Sequence, residues 1–203
     1  MLVSIVIPCH NEGEAILPVL SSLGRIRGQV NCEVIVVNDA SADATASLLG
    51  GYDWVKVVHL PTKSGYGAAL KAGFREARGE SIVFMDMDGT YDPSDLATLL
   101  QEARNWTLVL GKREGEGMSL LRGFGNWLFS RMVSHLYGYP LHDACTGYRV
   151  FHRQHLRELL ALRPAGLSYS LAMTVWAIKR GIPFREVPVS YRSRRGRSKL
   201  NVA

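Results

Sequence analysis

In "FMDMDGTYDP" (residues 84–93), Asp86 and Asp88 flank a single methionine at the end of an apolar run. Ionised carboxylates are costly to bury alone, so such a pair needs a cation, hydrogen-bond donors or open water. In an extended segment residues i and i+2 project to one side, which aims both carboxylates at a common ligand and turns Met87 away. Two hard oxygen ligands suit Mg²⁺ or Mn²⁺, with phosphate oxygens completing the coordination shell. Asp92 and Asp95 read instead as the start of the next helix, where Pro93 suits the first turn and acids suit the helix dipole.

Further polar groups recur at comparable positions. His10, Asn11 and Glu12 follow a first apolar run, Asn38 and Asp39 end a second, and Lys63 follows a third. "KSGYGAALKAGF" (63–74) superficially resembles a dinucleotide fingerprint, but Leu70 stands where the third glycine belongs. A closely packed helix start fits better, with Gly65, Gly67 and Ala68 serving either backbone approach to a ligand or packing, and Lys63 supplying charge. The second half offers phosphate ligands: Arg113 at a strand end, Arg122 at a helix start, Arg149 in "DACTGYRVF", and Arg194, Arg195, Ser198 and Lys199 near the C-terminus. Neither a Ser-His-Asp set, a paired-cysteine metal site nor a Walker lysine is present, and the six histidines lack ligand spacing.

These groups need a scaffold that delivers them to one edge. Short apolar runs at 3–8, 32–39, 55–60, 81–86 and 107–113 alternate with helical spacing over Glu12–Leu23, Ser41–Leu49, Gly65–Arg78 and Pro93–Arg104. Continuously apolar strands indicate burial on both sheet faces, and the β/α alternation predicts a doubly wound, mostly parallel α/β sheet with helices on both faces. Ligands in such sheets sit beyond the carboxyl ends of the strands, where the polar residues fall. Beyond the "EGEGMS" loop the spacing predicts a long helix over Leu120–Tyr137, a second over Ser168–Arg180 and a strand over 184–191. Leu121, Phe124, Leu128, Met132 and Leu136 share a stripe on the long helix, which suits either a core-covering helix or one lying on a bilayer surface. A single domain, 1–203, is expected, with halves at 1–113 and 114–203.

The 203 residues can bury a sizeable core. No apolar run approaches the roughly 18–20 residues that cross a bilayer, and the opening "MLVSIVIP" lacks the basic flank and cleavage site of a signal peptide. Three widely spaced cysteines fit a reducing compartment, so a cytoplasmic location is expected. The net charge of +6 is concentrated near the end, with six basic residues against one acid from Arg185 to Lys199, which attracts phosphate. A basic nucleic-acid-binding module would explain that tail but not the strand-end acids, so no nucleic-acid partner is expected.

The ordered set "VSIVIPCHNE", "EVIVVNDASAD", "KSGYGAALKAGF", "FMDMDGTYDP", "GKR", "RGFGN", "DACTGYRVF" and "VPVSYRSRRGRSKL" spans essentially the whole chain. It resembles the family 2 glycosyltransferases of GT-A fold, and most closely their dolichol- or polyprenyl-phosphate mannose synthase group. The resemblance implies an inverting hexose transfer from a UDP- or GDP-linked sugar to a polyprenyl phosphate, assisted by Mg²⁺ or Mn²⁺. The enzyme would work at the cytoplasmic membrane face, in peripheral contact with it. A soluble or polysaccharide acceptor is the alternative.

By that resemblance Pro8 and Glu12, with Asn11 between them, together with Asp39, Lys63 and Gly65, would bind the nucleotide sugar. Asp86 and Asp88 would hold the metal, Asp88 more directly. Arg113 and Arg122 would lie near the donor diphosphate and the acceptor phosphate, with Arg149, Arg195, Ser198 and Lys199 as further phosphate ligands. An anionic phosphate acceptor needs no strong base, whereas an alcohol would want a carboxylate, for which Asp143 is the candidate. Asn38 stands where the family more often carries an acid, and Ala172 where the lipid-phosphate group often does.

Overall fold

Runs rich in valine and isoleucine form strands here because both of their faces are covered. The computed structural model describes residues 1–115, 117–118 and 120–196, apart from the side chain of Arg122. All seven residues of β1 (Val3–Cys9) are buried. Ile5 and Ile7 enter one apolar cluster and Val6 the other, as the two-residue period of a strand requires. β2 (Cys32–Asp39), β3 (Val55–Leu60) and β4 (Ser81–Phe84) continue the sheet, and β5 (Leu108–Glu114), β6 (Arg149–His152) and β7 (Phe184–Ser190) complete it.

The seven strands lie in the order β3-β2-β1-β4-β6-β5-β7. Pairings β1–β2, β2–β3, β1–β4 and β5–β7 are parallel, while β6 runs antiparallel to both β4 and β5. The chain winds outward from β1 to β3, then crosses back to place β4 on the other side of β1. That reversal opens a crevice at the carboxyl ends of β1 and β4, the usual ligand position of such sheets.

Helices cover both faces. α1 (Gly13–Arg27) and α4 (Leu96–Glu102) supply Ile16, Leu20, Leu23, Leu96 and Leu99 to one cluster. α3 (Tyr66–Glu76), α6 (Leu156–Ala161) and α7 (Ser168–Lys179) supply Leu70, Phe74, Leu159, Tyr169 and Met173 to the other. Phe74 sits at the centre of that second layer, with the Phe84, Phe151 and Tyr169 rings 5.7, 5.1 and 6.3 Å away.

Four local differences from the sequence reading have physical causes. α2 is only Thr45–Leu49, because Asp43 Oδ1 accepts the Thr45 N–H and holds the preceding residues as a loop. β4 ends at Phe84, so Asp86 and Asp88 lie in the turn beyond it rather than in the strand. β6 and α6 follow from a segment with no long apolar run. The polar Arg149 opens β6 and is accommodated by hydrogen bonds described below. Finally, α5 (Leu120–Tyr137) turns its stripe outward: Leu121, Phe124, Leu128, Met132 and Leu136 are exposed, so the core-covering reading does not hold.

Candidate active site

The loop after β1 is pinned to the loop after β2. Asn11, at φ 51°, donates its N–H to Ser41 Oγ (2.9 Å), and its Oδ1 accepts the Ala42 N–H (2.8 Å). Glu12 N–H donates to Thr45 Oγ1 (2.9 Å), and His10 Nδ1 lies 2.7 Å from the Asp39 carbonyl oxygen. Asp39 is buried, and its two carboxylate oxygens accept the Ser64 and Gly65 N–H groups at 2.6 and 2.8 Å. Gly65 itself adopts φ 94°, a conformation that a side chain would strain, and so brings the start of α3 to the crevice. Gly67 serves packing instead, since a Cβ there would lie 2.8 Å from Tyr169 Cβ.

These elements enclose a cavity of about 370 Å³ at the carboxyl ends of β1 and β4. Of the sequence-predicted residues it gathers Pro8, Glu12, Asp39, Lys63, Gly65, Asp86 and Asp88. Asn11 is not on the cavity wall; it ties the two loops that shape it. Asp88 Oδ1 accepts both the N–H and the hydroxyl of Thr90 (3.1 and 2.6 Å), which fixes the carboxylate's orientation. Its Oδ2 lies 3.2 Å from Arg194 Nη1, while Arg194 Nη2 pairs with Glu12.

Asp86 is in a different state. Its Oδ1 is buried with no hydrogen-bond partner among the described residues. Burial and the neighbouring Asp88 charge push its pKa up to about 7, against the opposing pull of Tyr66, Arg113 and Arg194. The other flank is the Gly147 backbone, where a Cβ would meet Asp86 Oδ2 at 2.8 Å. Two carboxylates on one cavity, one of them with an orphaned oxygen, fit a divalent cation whose remaining ligands come from a diphosphate. No cluster of three or more acid, histidine or cysteine ligands exists among the described residues, so the protein alone would not complete the shell.

Arg113 and Asp143 form a neighbouring unit. Asp143 Oδ2 accepts the Arg113 N–H and Nε–H (3.0 and 2.7 Å), and its Oδ1 accepts from Nη2 (2.7 Å). The guanidinium also lies 5.4 Å from the Tyr191 ring centroid. Both sides of the pair are nearly closed to solvent, and Asp143 holds the Arg113 guanidinium in place.

Arg149 is a correction. It is fully buried, and its guanidinium donates to Thr146 O (2.9 Å), Thr174 Oγ1 (2.9 Å) and Ala144 O (2.8 Å). It has no surface to offer a phosphate; it braces residues 144–146 beside Arg113 and Asp86. Arg195 donates its backbone N–H to Asp88 O (3.0 Å), and its side chain packs over Gly89, outside the cavity wall. Arg122 belongs to α5, its side chain undescribed, and Ser198 and Lys199 lie outside the described residues.

Tyr66 and Arg194 also line the cavity: the sequence offers Arg194 only as one of several basic residues near the C-terminus, and it does not single out Tyr66. Nothing in the spacing distinguishes Arg194 from its basic neighbours, because its partners Glu12 and Asp88 are distant in sequence. Tyr66 sits between two glycines, and its buried hydroxyl lies beside Asp86.

Residues 4–160 match the model of the family described as "Glycosyl transferase family 2". The chain is 34% identical to an undecaprenyl-phosphate mannosyltransferase of Micrococcus luteus, over 99% of this chain and 88% of that protein. It is 32% identical to a polyprenol monophosphomannose synthase of Mycolicibacterium smegmatis, over 97% of this chain and 80% of that protein. Its fold is shared with glucosyl-3-phosphoglycerate synthase of Mycobacterium tuberculosis, crystallised with Mn²⁺, UDP and glucosyl-3-phosphoglycerate. The TM-score is 0.77 at 22% identity, covering 97% of this chain and 73% of that one. The crevice between β1 and β4, its acidic wall and a family match across most of the sequence agree: this chain belongs to glycosyl transferase family 2.

Proposed function

We propose that this glycosyltransferase moves a hexose from a UDP- or GDP-linked sugar to a polyprenyl phosphate, inverting the anomeric centre. One observation carries the choice of acceptor class. Asp143, the candidate base, gives both carboxylate oxygens to Arg113, so the site has no free carboxylate there to deprotonate an alcohol. A phosphate is already anionic near neutral pH and attacks without that help. The activities for which the Micrococcus and Mycolicibacterium relatives are named support the same class.

The cavity beneath Asp39, Lys63 and Gly65 would take the nucleoside, and the diphosphate would lie toward Asp86 and Asp88. A divalent cation held by Asp86 and Asp88 would neutralise the departing nucleoside diphosphate. Arg194 would add positive charge on the same side. Arg113, aimed by Asp143, would meet phosphate oxygens at the sugar-transfer point. Residues 1–113 thus form the donor half and 114–203 the acceptor half. Among the described residues no helix is long and apolar enough to cross a membrane, and contact with the cytoplasmic membrane face would be peripheral.

The test is incubation with a panel of labelled UDP- and GDP-sugars, Mg²⁺ or Mn²⁺, and either polyprenyl phosphate or soluble sugar acceptors. Label entering the organic phase only with polyprenyl phosphate supports the reading. Transfer confined to soluble acceptors, or a product that retains the donor's anomeric configuration by NMR, overturns it.

A further inference from the structure

Helix α5 is built inside out. Its buried side chains are the small Ser130 and Val133, while Leu121, Phe124 and Trp127 are about 60% exposed and Leu128, Phe129 and Met132 between 41 and 49%. Nine of the thirteen large apolar side chains exposed among the described residues belong to this one helix. Phe124 and Trp127 stack on each other at 5.8 Å, forming an aromatic ridge on the outer face. A water-facing helix normally does the reverse, with its apolar residues inward. An apolar patch of this extent marks an interaction surface.

Charge selects the partner. Residues 117–137 contain Arg122, Arg131 and His135 and no aspartate or glutamate. Apolar and aromatic residues mixed with arginine and without acids complement the headgroup region of an anionic bilayer. A second copy docked through the same face would set two acid-free cationic surfaces against each other. α5 is also tied to the acceptor side of the site. Ser130 Oγ accepts the Ala144 N–H (2.9 Å) and Ser134 Oγ accepts the Leu141 N–H (3.0 Å), on either side of Asp143, the partner of Arg113.

We infer that α5 is an in-plane membrane anchor whose outer face inserts among anionic lipids, holding Arg113 at the depth of a lipid phosphate. The inference rests on the polyprenyl-phosphate reading and names the surface through which that acceptor is reached.

The experiment is co-sedimentation with vesicles of phosphatidylcholine, with and without phosphatidylglycerol, and free of polyprenyl phosphate. The natural protein is expected to sediment with the phosphatidylglycerol vesicles, less so as salt rises. The double variant Phe124→Glu, Trp127→Glu changes only exposed positions, so its fold is expected to persist by circular dichroism. Its vesicle partitioning should fall by about tenfold or more. It should keep transfer to a short-chain polyprenyl phosphate in detergent and lose transfer to acceptor embedded in vesicles. Failure of the natural protein to sediment, or equal sedimentation of the variant, overturns the inference. So does a dimer in light scattering that the variant dissolves, which would make a second copy the occupant. Vesicle binding without any transfer to short-chain acceptor would count against the acceptor reading while leaving the anchor standing.

Discussion

Arg194 Nη1 lies 3.2 Å from Asp88 Oδ2, so a residue near the end of the described chain supplies a cation to the acidic wall of the donor cavity. The same guanidinium pairs with Glu12, and its Nε–H is buried without a partner among the described residues. It thus sits where a divalent cation bound to Asp88 would have to share the carboxylate. Arg194→Gln is expected to bind Mn²⁺ more tightly in the absence of nucleotide, by about tenfold, the scale on which an adjacent charge alters a carboxylate's proton affinity. Electron paramagnetic resonance of free Mn²⁺ during titration measures this. An unchanged or weaker affinity would show that Arg194 and metal do not compete.

Arg149 is expected to govern stability rather than phosphate affinity. Arg149→Met takes the guanidinium donor from the Thr146 carbonyl and leaves the Ala144 carbonyl only its bond from Thr174, at a cost of about 1–3 kcal/mol. Urea denaturation should show the loss, with the KM for acceptor little changed in the protein that remains folded. A large KM effect with full stability would return Arg149 to the phosphate ligands.

Gly147→Ala should act on Asp86. The added Cβ would lie 2.8 Å from Asp86 Oδ2 and 3.0 Å from Oδ1, against a side chain with little room to retreat. Overpacking of this kind costs about 1–3 kcal/mol. Mn²⁺ affinity in the presence of nucleoside diphosphate should drop by about tenfold, with an unaltered circular dichroism spectrum. Retained affinity would mean that Asp86 does not ligate the cation.

Much of this was legible in the sequence, and the reason is local. The strands with both faces buried carry continuous valine and isoleucine runs, so β1 and β2 and the crevice they feed could be read directly. Pro8, Glu12, Asp39, Asp86 and Asp88 each stand at or just beyond a strand end, and the parallel topology alone brings them together. Where the meaning of a residue depends on how the folded chain surrounds it, the sequence was silent. Arg149 looks like a surface ligand until Ala144, Thr146 and Thr174 are seen to surround its guanidinium. The α5 stripe has the spacing of a core face, and only the burial of Ser130 and Val133 shows that the opposite side faces inward.

Asp143 is expected to position Arg113 rather than move a proton. Asp143→Asn should reduce kcat while leaving the shape of the pH–rate profile intact, since a phosphate acceptor needs no base. Loss of the acidic limb in that variant would assign Asp143 the role of general base.

The central claim, that the acceptor is a lipid phosphate, is tested most directly by comparing polyprenyl phosphate with the corresponding unphosphorylated polyprenol under identical donor and metal conditions. Glycolipid should form with the phosphate and not with the alcohol. Equal or faster transfer to the polyprenol would contradict the account.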